Sequence, residues 1–185
     1  MLQRFAGLHH HFLRFIKAPN GAFFYLHSMQ TRIRNIIQNL DTTMYGQPWF
    51  GRSFMSIARE VDPEIGFEKP VGHAHSLLDL LYHTLTWSDF TLKRLENDPH
   101  HDLHSFEKID WRVIDPAENN WGKGLALLDA STRSILTNLQ KQNDDLLDQK
   151  VEFREYNFDF LLNGLIQHNI YHLGQIAFLH KLLKP

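Results

Sequence analysis

The stretch Gln167-His168-Asn169-Ile170-Tyr171-His172-Leu173-Gly174-Gln175-Ile176 decides the fold reading, because it sets two histidines four residues apart in an apolar, helix-forming segment. Four residues on an α-helix turn through about 400°, so both imidazoles leave one face, about 6 Å apart along the axis. Phe158, Leu161, Leu165, His168, His172, Ile176 and Leu179 follow the i, i+3, i+4 spacing of a core-facing stripe. Polar rings in such a stripe need partners, since burying them unpaired destabilises the fold. A metal ion satisfies both at once, whereas carbonyls or hydroxyls satisfy each ring separately. A third histidine, His83, lies in Leu77-Leu78-Asp79-Leu80-Leu81-Tyr82-His83-Thr84-Leu85-Thr86-Trp87 and shares a face with Leu80 and Trp87. Three inward-facing histidines on two helices suit a three-nitrogen metal site with an open fourth position. The chain has 13 histidines, so chance pairs are ordinary, and on residues alone both readings stand.

At 185 residues and 43% hydrophobic, the chain can bury a real core, and one domain is the expected organisation. There is no cysteine, which excludes a disulfide framework, a thiolate metal site and a cysteine nucleophile. A net charge of −2 gives no reason to expect nucleic acid as a partner. No apolar run approaches the roughly 20 residues of a membrane span, so the expectation is a soluble, cytoplasmic protein. Charge is uneven. Residues 1–40 carry Arg4, Arg14, Lys17, Arg32 and Arg34 and no acid, while residues 41–185 hold the other basic residues and all 21 Asp/Glu. Residues 1–28, with His9-His10-His11 and Phe23-Phe24-Tyr25, read as an extension that the core does not need. The domain is expected over residues 29–185. The three adjacent histidines point in different directions and make no ligand set.

From Met29 the pattern is helical throughout, giving an all-α expectation: a four-helix up-and-down bundle with an extra short helix and long loops. The expected helices run from Met29 to about Thr43, Ser53 to Val61, Ser76 to about Asn97, Ala117 to about Gln142, and Asn157 to Leu183. Ser76 with Asp79 three residues on reads as a capping box, and Asn157 as the cap of the last helix. Pro63–His75 and Pro99–Pro116 read as loops, the second holding His100, His101, His104 and Asp110-Trp111.

Several of these residues also resemble a known family. His168-x-x-Tyr171-His172-x-Gly174-Gln175-Ile176 resembles the motif that closes proteins of the DinB/YfiT-like superfamily. His83 followed by Trp87 resembles its second-helix metal histidine, and Trp49-Phe50-Gly51-Arg52-Ser53 and Asp110-Trp111 resemble motifs of one branch. The similarity spans roughly Met29 to Leu183. It implies a four-helix bundle with one divalent metal ion held by His83, His168 and His172. Zinc is the expected metal, with nickel or iron as alternatives that accept the same ligands.

The resemblance also implies a function: transfer of a low-molecular-weight thiol to a small electrophile. The alternatives are a metal-binding or stress-associated dimeric module without turnover, and a metal-dependent hydrolase. Asn169 stands where a zincin metalloprotease needs its glutamate, which excludes that mechanism. A small-molecule substrate and a homodimer are expected, the latter from loop aromatics Trp49, Phe50 and Trp111. Among neighbouring residues, Asp79 reads as a cap, Tyr171 and Trp87 as packing, Gly174 as permitting close helix approach, and Gln175 as orienting a ligand.

Overall fold

The computed structural model describes residues 31–72 and 74–184, so the extension at 1–28 lies outside the described residues. Among the described residues seven α-helices follow one another: α1 Thr31–Tyr45, α2 Phe54–Ala58, α3 Leu77–Leu95, α4 Leu103–Ile109, α5 Trp121–Leu139, α6 Asp145–Asp148 and α7 Phe158–Leu183. A 3₁₀ turn, Pro63–Phe67, precedes α3. No strand occurs among the described residues, only an isolated antiparallel bridge between Lys150 and Asn157. No helix among them is long and apolar enough to cross a membrane.

The long helices α1, α3, α5 and α7 carry the core. The α3 helix packs against α5 and α7, and α1 packs against α7 and α5. Ile33, Ile36, Leu40 and Met44 of α1 face Leu77, Leu81, Leu128, Ile135, Leu162 and Ile176 in one continuous buried cluster. Buried threonines on α3 do not disturb it, because their hydroxyls donate within the helix. Thr84 bonds the Leu80 carbonyl, Thr86 that of Tyr82, and Thr91 that of Trp87. Trp121 opens α5 and donates its indole N–H to the Ala58 carbonyl at 2.8 Å, tying α2 to the core.

The caps explain where the helices start. Ser76 and Asp79 form the expected capping box on α3, and Asn157 accepts from the Phe160 N–H at the start of α7. The fourth expected helix begins later than the sequence suggests, at Trp121 rather than Ala117. Asp115 accepts the Ala117 N–H, its carbonyl takes that of Asn119, and Asn120 caps the helix through the Lys123 N–H. Local side-chain bonds thus outcompete the first helical turn. Inside the expected loop at Pro99–Pro116 lies α4, capped by Asp102 and anchored by buried Phe106. The Trp49–Ser53 segment is a turn with Gly51 at φ 126°, a conformation that favours glycine. Arg52 fixes it by a forked pair to Glu60 at 2.8 and 2.6 Å.

Two glycines give opposite expectations. A Cβ on Gly124 would stand 2.9 Å from both Leu81 Cδ2 and Tyr82 Cε2, so this glycine allows α5 to approach α3. Gly174, expected to serve a similar purpose on α7, is exposed and has nothing within 4 Å of an added Cβ. Gly124→Val should therefore lower the unfolding free energy by about 2 kcal/mol through overpacking. Gly174→Ala should raise it by about 0.5–1 kcal/mol through helix propensity alone. Urea denaturation of both variants checks the contrast, and equal effects would contradict the packing described.

Candidate metal site

Midway along α3 and α7 the apolar stripes bring three imidazoles together. His83 is 7% exposed and His172 5%, while His168 is partly buried. Nε2 of His83 and Nε2 of His168 lie 2.9 Å apart. The ring centroids of His83 and His172 are 4.6 Å apart, and those of His168 and His172 4.4 Å. One nitrogen from each ring falls within 4.8 Å of the others, a spacing that could hold a metal ion. All three residues named from sequence thus meet at one point.

Hydrogen-bond partners orient the rings. His172 Nδ1 is 2.6 Å from Gln175 Oε1, and an amide oxygen only accepts, so Nδ1 carries the proton and Nε2 keeps its lone pair. Gln175 is held in turn by Tyr171, whose hydroxyl accepts from its amide at 3.3 Å. His83 Nδ1 is 2.6 Å from Asp110 Oδ1, which favours the same tautomer, although the approach is off the line of a well-formed hydrogen bond. The Trp87 indole N–H directed at Asp110 holds that carboxyl down, but burial outweighs it and raises the carboxyl above its ordinary range. Trp111 stacks on His83 at 3.9 Å and 12° between planes, and His75 stacks on the other ring contact of Trp111 at 3.9 Å.

Burial first, then the neighbouring histidines, lowers the His83 pKa to about 4 and that of His168 to about 3. Burial also lowers that of His172, against the opposing pull of Gln175 and Asp110. The rings are therefore neutral near pH 7 and offer lone pairs. Two neutral Nε2 lone pairs facing each other at 2.9 Å repel unless a proton or a cation lies between them. Tetrahedral ligation at about 2.0–2.1 Å puts neighbouring nitrogens about 3.3 Å apart, so His83 and His168 need part only by a few tenths of an ångström, while the His172 nitrogen lies within 4.8 Å of both. The donor set fits a divalent ion.

Asp110 and Trp111 come from the C-terminal end of α4, and their contact with His83 was not visible in the sequence. The only signal was their place in a motif. Gln175 does orient a ring, as its position suggested. Asp79 stays at its cap, where Lys69 pairs with it at 3.0 Å. The loop histidines do not join the site: His101 pairs with Asp98, and His100, His101 and His104 are exposed. Asn169, unassigned from sequence, is fully buried and donates to Met44 Sδ at 3.4 Å.

The family described as the DinB superfamily matches residues 49–176, from the turn before α2 to near the end of α7. Among curated proteins, none matches the chain.

The lowered histidines also set a pH dependence. In the unfolded chain these rings take up protons below about pH 6.5, while the folded rings refuse them until about pH 4 and 3. Native stability must then fall as pH drops from 6.5 toward 4. Asp110, raised by burial, acts in the opposite sense and offsets part of this. Chelator-treated protein should lose roughly 2 kcal/mol of unfolding free energy between pH 7 and pH 5. His168→Leu should flatten that slope in urea melts, and a flat wild-type profile would contradict the buried neutral rings.

Proposed function

The chain belongs to the DinB superfamily, and we propose that His83, His168 and His172 hold one divalent metal ion at which a low-molecular-weight thiol is transferred to a small electrophile. The observation that carries the metal reading is the 2.9 Å approach of two Nε2 atoms whose rings burial keeps neutral. Zinc is the first choice, because all-nitrogen ligation suits it, and nickel or iron accept the same ligands. The same reading takes α1, α3, α5 and α7 as an up-and-down bundle, supported by the packing of α3 on α5 and α7 and of α1 on α7 and α5.

Bound there, a divalent ion supplies a Lewis acid and favours the thiolate form of a thiol placed beside it. The chain's own residues do the positioning. Gln175 accepts the His172 Nδ1 proton and keeps that Nε2 turned inward, while the Asp110 carboxylate 2.6 Å from His83 Nδ1 favours the same tautomer there. Trp111 covers one face of His83 and keeps water from it. Because the chain has no cysteine, the sulfur must come from a cosubstrate. A homodimer belongs to the same proposal: Trp49 is fully exposed and neighbouring Phe50 is 44% exposed, a pair that an interface would cover.

Wild-type protein dialysed against zinc should retain one equivalent, and His168→Ala or His172→Ala should retain none. His100, His101 and His104 replaced together by Ala should keep the full equivalent. Retention by His168→Ala with loss in the loop variant refutes the assignment. Asp110→Asn should weaken zinc affinity by about 10- to 100-fold. In a thermal-shift screen of cellular thiols, at least one should raise the melting temperature of the zinc-loaded protein alone. Zinc binding with no thiol response would favour a metal-binding module without turnover. For the dimer, light scattering should give about twice the 21.8 kDa chain mass, and the single chain mass at micromolar concentration would refute it.

A further inference from the structure

A cleft of about 150 Å³ opens against the triad, walled by Trp87 of α3, by Tyr156, and by Phe160, Leu161, Leu165 and His168 of α7. Its walls are almost wholly apolar. The hydroxyl of Thr91, which also borders it, is spent on the Trp87 carbonyl at 2.9 Å. A space of this size takes a benzene-sized group. Gly164 lies in the cleft wall with nothing within 4 Å of an added Cβ, so the helix leaves room there that almost any other residue would occupy.

One charge stands by this apolar space. The Arg154 guanidinium lies 5.5 Å from the Trp87 ring centroid, 5.7 Å from that of Tyr156 and 5.3 Å from that of Phe90. Two of those rings form the cleft wall. No carboxylate pairs with Arg154 among the described residues, and its buried Nε has no hydrogen-bond partner. The other cations bordering the triad differ. Lys69 and Arg112 line a separate cavity of about 440 Å³ beside Asp110 and Trp111. There Lys69 is paired with Asp79, and Arg112 donates to Thr86 Oγ1 at 2.6 Å and to the Ile109 carbonyl. An arginine set among aromatic rings and paired with no carboxylate is equipped to receive one as a charge-assisted hydrogen bond.

We infer that this cleft binds a small apolar carboxylic acid, its ring-sized apolar group against Trp87 and His168 and its carboxylate on Arg154. The function proposed above is needed only for what happens to that ligand next, and the binding itself does not require the metal. The ligand would lie against the His168 ring, so the cleft would select the acceptor substrate of the transfer.

Calorimetric titration of the full chain with phenylacetate and with neutral 2-phenylethanol tests this, with zinc content measured on the same samples. Wild type should bind phenylacetate about tenfold or more tighter than 2-phenylethanol. Gly164→Leu should fill the cleft and abolish binding of both while circular dichroism shows the helices retained. Arg154→Gln should erase the preference and keep the weaker neutral binding, and Arg154→Lys should restore part of it. Undiminished phenylacetate binding by Gly164→Leu, an unchanged preference in Arg154→Gln, or no binding by wild type at millimolar concentration would each overturn the inference. Probe binding in this pattern without zinc would sink the metal reading and leave this one standing. Zinc bound without any probe binding would do the reverse.

Discussion

Nε2 of His83 and Nε2 of His168 rest 2.9 Å apart, close enough that a proton or a cation must lie between them, and the surrounding structure is arranged to hold them there. The approach depends on the packing of α3 against α7, since neither helix could present its ring so closely from a looser core. Burial removes the option of charging the rings, because a buried imidazolium has no water to stabilise it. Gln175 removes the option of turning His172, because it holds the Nδ1 proton, and the Asp110 carboxylate stands 2.6 Å from Nδ1 of His83. A polar cluster in an apolar core is costly when half satisfied and strongly specifying when complete. Here the polar atoms left without a hydrogen bond are Nδ1 of His83, Nδ1 of His168 and Oδ1 of Asp110.

The parts legible in the sequence are those governed by helical period and local capping. His83, His168 and His172 lie on apolar stripes, and the capping box at Ser76 and the cap at Asn157 act within three residues. The parts not legible depend on contacts between distant segments. Asp110 and Trp111 reach His83 because a seven-residue helix, α4, interrupts what reads as a polar loop. Its only local cues were Asp102 as a cap and a single buried Phe106, too little to separate a short helix from a turn. Ala117 offered no hint that Asp115 and Asn120 would take the backbone groups a helix needs. Gly174 sat beside the motif and invited a packing role, but it faces open space, and Gly124 does that work instead.

The aromatic residues show the same division. Trp49 and Trp111 both read as loop residues in want of burial, and both remain exposed, Trp111 at 46%, yet only Trp111 reaches the site. Trp111 lies between His75 and His83, whereas Trp49 stays fully exposed. Trp87, read as core packing, touches three settings at once: the Phe90 edge at 5.6 Å, the Asp110 carboxyl and the cleft beside His168. Its indole thereby links the apolar cleft to the carboxylate that steadies His83.

The start of α1 carries a consequence for how the chain assembles. The amides of Arg32 and Ile33 are satisfied by the carboxylate of Asp144 at 3.2 and 2.9 Å, across sequence separations of 112 and 111. Arg32 also reaches Asp148 at 3.0 Å. A helix that begins early in the polypeptide is thus finished by residues made much later. During synthesis α1 emerges before Asp144, and these bonds form only when the segment after α5 has left the ribosome. Contacts so distant in sequence raise the contact order, which slows folding. The assembled triad likewise waits for residues near the end of the chain, so a nascent chain carries His83 long before it can share it.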